Sequence, residues 1–244
     1  MNKGKEEIWL KKRLGLITAS ELGDITSAKG GLIETNLSYI RKKRWERRHG
    51  FAHPISARPM DIGNEQEPYI CEWARQNLGF NEIVYSKELP EIPFWIAKDC
   101  PLGASPDAFV PSERVLFEFK TLVGATSIEF FGDESTSYEE KKLAVWKDHG
   151  DQLIGQFISN DNVEEIWVIK YIYQDDDIPQ DTDSPLAPWR GLVFKFKRED
   201  YQQSIAEMKK RIILFDAMIQ SQVNPSDFKK GEWCLSEDGT ISKK

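Results

Sequence analysis

From Val115 to Leu122 the chain reads VLFEFKTL, and its side chains alternate across an extended backbone. Phe117 and Phe119 point to one side; Glu118 and Lys120 point to the other. Apolar runs bounded by turn residues place further strands at about residues 82–86, 94–98, 102–110, 165–173 and 191–197. A turn at about residues 111–113 pairs 102–110 with 115–121 as a hairpin. The helical period appears elsewhere. Residues 6–12 form a first helix, and Thr18 or Ser20 caps a short one over 19–25 that Lys29, Gly30 and Gly31 break off. Residues 35–48 follow with Leu37, Ile40 and Trp45 on one side. Residues 61–78 carry Ile62, Tyr69, Ile70, Trp73 and Ala74 at helical spacing and end at Gly79, a favoured left-handed cap. Residues 140–158 and 200–222 close the set, the last with Ile205, Met208, Ile212, Phe215 and Ile219 inward. Stretches 53–59, 133–142 and 175–188 read as connections, the last of them acidic.

The order is helices, then a sheet with an interposed helix, then a terminal helix, which predicts an α/β (α+β) fold. At 244 residues the chain can bury a substantial core in one domain. We divide it into a helical, basic part at 1–60, a core at 61–223 and a tail at 224–244. Composition is ordinary for a globular protein, with 40% hydrophobic and 30% charged residues. No stretch reaches the roughly 18 consecutive apolar residues of a membrane span, and the N-terminus MNKGKEEIWLKKR is charged where a signal peptide needs an apolar stretch. The expectation is a cytoplasmic protein without a membrane partner. Cys71, Cys100 and Cys234 are odd in number and scattered, which argues against a disulfide framework or an iron–sulfur site. His49, His53 and His149 are too dispersed for a zinc triad.

Charge changes the picture through its distribution. The net charge is −7, yet residues 1–58 hold thirteen Lys or Arg against six Asp or Glu, a surplus of seven, so the remainder carries −14. The basic share lies in Lys11, Lys12 and Arg13 and in the run RKKRWERR from Arg41 to Arg48. Such a run fits a phosphate-tracking surface, or else a solvated helix face.

The candidate chemistry sits on the central hairpin. Asp107, in Ser105-Pro106-Asp107, precedes Glu118 and Lys120, and the hairpin brings two acids and an ammonium to one small surface. Carboxylate and carbonyl oxygens suit a hard divalent cation, and a lysine beside it can hold or deprotonate an attacking water. A phosphodiester is the substrate this implies. The plainer alternative is a solvated strand face next to a Pro-Asp turn.

Five segments in order resemble the lambda exonuclease family, also called the YqaJ-type viral recombinase nucleases. They are WLKKRLGLITAS from Trp9 to Ser20, Gly63 to Glu67, Ser105 to Asp107, Glu118 to Lys120, and the helix of Gln152. The resemblance implies a restriction-endonuclease-like PD-(D/E)xK core, a central mixed sheet flanked by helices. It implies Mg²⁺-dependent 5′-to-3′ digestion of one strand of duplex DNA, with two ions and Mn²⁺ as a substitute. It further implies a ring-shaped homotrimer and a single-strand annealing recombinase as partner, in a phage or prophage setting. Residue by residue, Asp107, Glu118, Glu67 and the Phe119 carbonyl resemble the metal ligands. Lys120 resembles the catalytic lysine. Gln152 resembles the glutamine that positions nucleophile or phosphate, with Gln156 as its rival. Arg13, Ser20 and Ser105 match the positions that bind the 5′-terminal phosphate. His149 stands where that family places an aromatic hydroxyl. A structure-selective endonuclease and a non-cutting DNA-end-binding scaffold are the alternative functions.

Overall fold

Val115–Leu122 forms β6, the middle strand of a five-stranded mixed sheet, in a computed structural model that describes residues 3–26, 32–51, 58–122, 135–172, 186–229, 233–236 and 241–243. The order in the sheet is β2 (Val84–Tyr85), β5 (Ala108–Val110), β6, β7 (Glu165–Ile172) and β8 (Gly191–Lys197). Only the β6–β7 pair is parallel; the other neighbours are antiparallel. A parallel pair needs a long crossover, and α5 (Tyr138–Ser159) supplies it. Ser137 starts that helix, accepting from the Glu140 amide while Glu140 reaches back to the Ser137 N–H. The helix therefore begins inside the polar stretch read as a connection, because the capping box outweighs its polarity.

The alternation along β6 is realised. Phe117 and Phe119 join Ile70, Trp73, Ala74, Ile169 and Tyr171 in a core under α4 (Arg58–Asn77). Leu116, Ile166, Val168, Phe194 and Phe196 face the opposite way, toward Leu153, Ile154 and Phe157 of α5 and Ile212, Phe215 and Ile219 of α6 (Gln202–Gln220). The sheet is thus covered on both faces, which is why a polar pair on its central strand requires a purpose. Residues 111–114 make the hairpin turn, and Arg114 takes a positive φ of 59° there.

Several expectations need correction. Residues 102–110 are two strands, β4 (Leu102–Ala104) and β5, in different sheets: β4 pairs with β1 (Ile17–Thr18) and β3 (Trp95–Ile96). The Ser105-Pro106-Asp107 bend separates them, since proline has no N–H to give a ladder. Thr18, rather than Ser20, is the cap, its backbone N–H meeting Glu21. Tyr69 and Trp45 point outward, at 51% and 37% exposure. Trp45 packs its ring against His49 and Phe51. In the tail, β9 (Trp233–Leu235) and β10 (Ile241–Lys243) pair antiparallel. The break at Lys29 to Gly31, His53 and most of the 53–59 and 175–188 connections lie outside the described residues.

The basic run is mostly internal architecture. It lies on α3 (Glu34–His49), where Lys43, 2% exposed, is bound by Glu21 at 2.9 Å and Glu46 at 3.0 Å. Arg44 donates to the Met218, Ile219 and Val223 carbonyls at the end of α6. Arg47 pairs with Asp216, Arg41 with Glu34 and Lys42 with Glu21. Five of the six cations therefore hold protein to protein, so this run is not a free phosphate-tracking stripe.

Candidate active site

Glu118 enters the cleft between β6 and α5 at 3% exposure. Its carboxylate is held from three sides. Lys120 Nζ lies 2.7 Å from Oε1, Gln152 Nε2 donates to the same oxygen at 2.7 Å, and Gln156 Nε2 donates to Oε2. Gln152 closes the triangle by accepting from Lys120 Nζ at 3.2 Å. Spacing of four residues puts the two glutamines on one helix face. Gln152 reaches both Glu118 and Lys120 and is partly exposed, whereas Gln156 is 1% exposed and donates to Glu118.

Asp107 hangs at the bend between β4 and β5, half-buried, and its Oδ2 accepts the Phe119 amide N–H at 2.7 Å. Burial first, then the charges of Glu118 and Glu67, push its pKa well above the ordinary carboxylate range. Glu67 arrives from α4 on the other side of the sheet. Tyr85 donates to it at 3.2 Å and Lys87 pairs with it at 2.5 Å. Burial raises the Glu67 pKa despite Lys87, with Glu118 adding to the rise. Lys120 is opposite: burial would lower its pKa, but Glu118 and Asp107 outweigh that and raise it.

Three carboxylates that repel one another are, by their chemistry, oxygen donors suited to a hard divalent cation such as Mg²⁺ or Mn²⁺. Among the described residues, however, no three such side chains are gathered tightly enough to hold a metal ion. In this arrangement Lys120 and Lys87 each carry a carboxylate instead, and it is the Phe119 N–H that meets Asp107.

The proposed phosphate-binding residues come together through two intermediaries. Trp9, on α1 (Lys3–Arg13), donates its indole N–H to Ser105 Oγ at 2.6 Å, and the Arg13 guanidinium lies 4.4 Å over the Trp9 ring. Arg13 also donates to Thr18 Oγ1 at 3.4 Å, and Thr18 Oγ1 is 3.3 Å from Ser20 Oγ. Gly15, at φ 71°, turns the chain between Arg13 and Thr18, and a Cβ there would collide with Arg47 at 2.7 Å. Glu21 fixes the floor: it accepts from Thr18, Tyr39, Lys42 and Lys43. Burial works against its ionisation, but Lys43 and Lys42 lower its pKa to about 2.

Pocket and cleft are joined covalently and by packing. Ser105 stands two residues before Asp107. Gly155, between the two glutamines on α5, admits Ala19 so closely that a Cβ would lie 2.8 Å from the Ala19 Cα. The sequence reading missed Trp9 and Thr18 as connectors, although both lie inside the WLKKRLGLITAS segment. It also missed Lys170, a cation interrupting the apolar strand WVIKYI. Lys170 Nζ lies 2.9 Å from His149 Nε2. Burial, then Lys120 and Lys170, hold the His149 pKa down at about 3. Burial chiefly lowers Lys170 to about 8, with Asp148 opposing and Lys120 assisting.

This architecture matches solved exonucleases. An alkaline exonuclease, LHK-Exo from Laribacter hongkongensis, superposes with a TM-score of 0.61 over 88% of this chain and 92% of that one, at 21% identity. LHK-Exo in complex with dAMP gives 0.59 over the same shares at 22% identity. A phage-related exonuclease from Haemophilus somnus 129PT gives 0.57 over 84% of this chain and 95% of that one, at 15% identity. The chain has the fold of these exonucleases. The mixed sheet flanked by helices agrees with the architecture the five sequence segments imply. Neither a protein-family model nor a curated protein matches the chain.

Proposed function

We propose that the chain is a metal-dependent deoxyribonuclease that digests one strand of linear duplex DNA from its 5′ end and leaves a 3′ single strand. The observation that carries this is the convergence of Asp107, Glu118 and Lys120 with Gln152 in one cleft, two residues along the chain from a linked arginine and hydroxyl pocket. The structural neighbours, an alkaline exonuclease and a phage-related exonuclease, point the same way.

Asp107, Glu118, Glu67 and the Phe119 carbonyl would hold two Mg²⁺ or Mn²⁺ ions, whose chemistry there is water activation and neutralisation of the leaving oxygen. Lys120, fixed between Glu118 and Gln152, aims its ammonium at the attacking water and the scissile phosphate. Gln152 holds Lys120 in that direction, and Gln156 stops Glu118 from rotating. Arg13, Ser20 and Ser105 receive the 5′-terminal phosphate. Release of a nucleotide leaves a new 5′-phosphate, so the same pocket draws the strand forward. A ring-shaped homotrimer and an annealing recombinase acting on the 3′ strand complete the proposal; both rest on the motif resemblance alone. Among the described residues no helix is long and apolar enough to cross a membrane.

The test pairs a linear and a closed circular duplex in Mg²⁺. The linear form yields mononucleotides while the circle stays intact; cutting of the circle would favour the endonuclease alternative. Lys120→Ala keeps DNA binding and lowers nucleotide release by about a hundredfold to ten-thousandfold. Binding with no hydrolysis by the wild type would favour the end-binding scaffold.

A further inference from the structure

α5 serves two neighbours at once. Gln152 and Gln156 face β6 and hold Glu118 in the cleft. Asp151 and Gly155, each one position before them, face the N-terminal segment that carries Thr18 and Ser20. One residue turns a helix by about 100°, so the two pairs lie on adjacent faces of the same stretch. On the second face Thr26, at the end of α2 (Gly23–Thr26), donates its hydroxyl to Asp151. One turn on, Gly155 receives the 3₁₀ turn Ala19–Glu21. A Cβ at position 155 would lie 2.7 Å from Ala19 Cβ, 2.7 Å from Leu22 Cδ1 and 2.8 Å from Ala19 Cα. The last of these is backbone, so no change of rotamer relieves it. Glycine in a helix interior is less stable than alanine, and what this position gains in exchange is the close approach.

That approach fixes a distance on which the proposed reaction depends. Ser20 follows Ala19 directly, and Thr18, which accepts from Arg13, precedes it. The phosphate pocket thus rests on α5 through Ala19, and the cleft rests on the same helix through Gln152 and Gln156. A second link runs through the chain itself: Trp9 donates to Ser105, and Asp107 follows two residues on. Two residues span at most about 7 Å, and one strand of duplex DNA advances about 3.4 Å per nucleotide. The span is of the order of one or two nucleotides.

We infer that Gly155 is a positioning residue that sets the separation between the 5′-phosphate pocket and the cutting cleft, and with it how strongly a terminal phosphate directs cleavage; this rests on the proposed nuclease cleft and on the pocket at Arg13. α5 is anchored in the core by Leu153, Ile154 and Phe157 and tied to Glu118, whereas the segment over Gly155 is a three-residue turn. A methyl group added at 155 therefore moves the turn, by roughly half an ångström or more to reach ordinary carbon–carbon contact, and leaves the cleft in place. Misplacement of a bound reactant by about 1 Å costs about a hundredfold in rate.

The test compares Gly155→Ala with the wild type on linear duplexes bearing 5′-phosphate or 5′-hydroxyl ends in Mg²⁺, with Tm recorded for each preparation. The wild type digests phosphorylated ends faster. In the variant the kcat/KM ratio of phosphate to hydroxyl ends falls about tenfold, because only the phosphorylated duplex uses the pocket. A glycine that merely packs would lower both substrates together and leave the ratio unchanged. Gly155→Ala combined with Ala19→Gly removes one of the clashing atoms and recovers part of the ratio. It also serves if the single variant does not fold, with a ratio below that of the wild type expected. A wild-type ratio in Gly155→Ala, or in the double variant where that alone folds, overturns the inference. A wild type that digests no DNA, or that treats both ends alike, overturns the proposed cleft or pocket and this inference with it. A wild type that prefers phosphorylated ends beside an unchanged Gly155→Ala ratio overturns the inference alone.

Discussion

The cleft and the N-terminal pocket handle negative charge in opposite ways. In the cleft, acids outnumber what their surroundings favour: Asp107 and Glu67 are both raised in pKa, chiefly by burial, with Glu118 adding to each. In the pocket, the acid Glu21 is held at about 2 by Lys43 and Lys42, and its role is to order Thr18 beside Arg13. One region holds carboxylates that repel one another; the other is a satisfied network of hydrogen bonds and ion pairs. The difference teaches where each should be sensitive. On the proposed reading the cleft gives up stability for reactivity, whereas the network around Glu21 adds to stability.

The largest expected effect lies in the cleft. Asp107→Asn removes one of the repelling charges while keeping an oxygen for the Phe119 N–H. It should lower nucleotide release about a hundredfold or more yet raise Tm by about 2–4 °C, equivalent to about 1 kcal/mol. Thermal melts and a release assay on one preparation check both signs; a lower Tm would break the contrast. The pocket should respond differently. Arg13→Gln is expected to cost about tenfold to a hundredfold in kcat/KM on 5′-phosphorylated ends and little on 5′-hydroxyl ends, through loss of a charge-assisted contact. Parallel digestion of both substrates measures it, and equal loss on both ends would dissociate the pocket from the phosphate.

A third contrast lies in how stability follows pH, with no change in activity at neutral pH required. Glu21 is depressed from 4.5 to about 2 and its side chain is 13% exposed. Its contribution, on the order of 3 kcal/mol, is therefore present above about pH 4.5 and lost as pH falls toward 2. Asp107 and Glu67 are raised, so theirs runs the other way: present at low pH and lost as pH climbs through their folded pKa values. A pH series of melts should show the acid-side slope flattened by Glu21→Gln and the slope on the higher-pH side flattened by Asp107→Asn. Unchanged slopes in both variants would remove the electrostatic distinction between the regions.

Much of this was legible in the chain itself. The period of two in VLFEFKTL put Glu118 and Lys120 on one face, and the structure keeps them there because Phe117 and Phe119 bury on the other. The cleft was readable since its chemistry lies on a strand and a helix, where spacing fixes direction. The pocket's connectors were harder, because Trp9 and Ser105 are 96 residues apart and meet only through tertiary packing. The basic run misled for a related reason. Charge density on α3 is visible in sequence, but its partners Asp216 and the α6 carbonyls are not. The strand read over 102–110 failed at Pro106, where a break that moves the chain between sheets looks locally like a continuing apolar run.

The central claim is that one protein surface cuts DNA and senses its 5′ end. Time-resolved digestion of linear duplexes bearing 5′-phosphate or 5′-hydroxyl ends, with Mg²⁺ and with EDTA, tests it most directly. The account predicts mononucleotide release from the 5′ end in Mg²⁺, faster on the phosphorylated duplex, and none in EDTA. Release that proceeds in EDTA, begins at the 3′ end or ignores the terminal phosphate would contradict it.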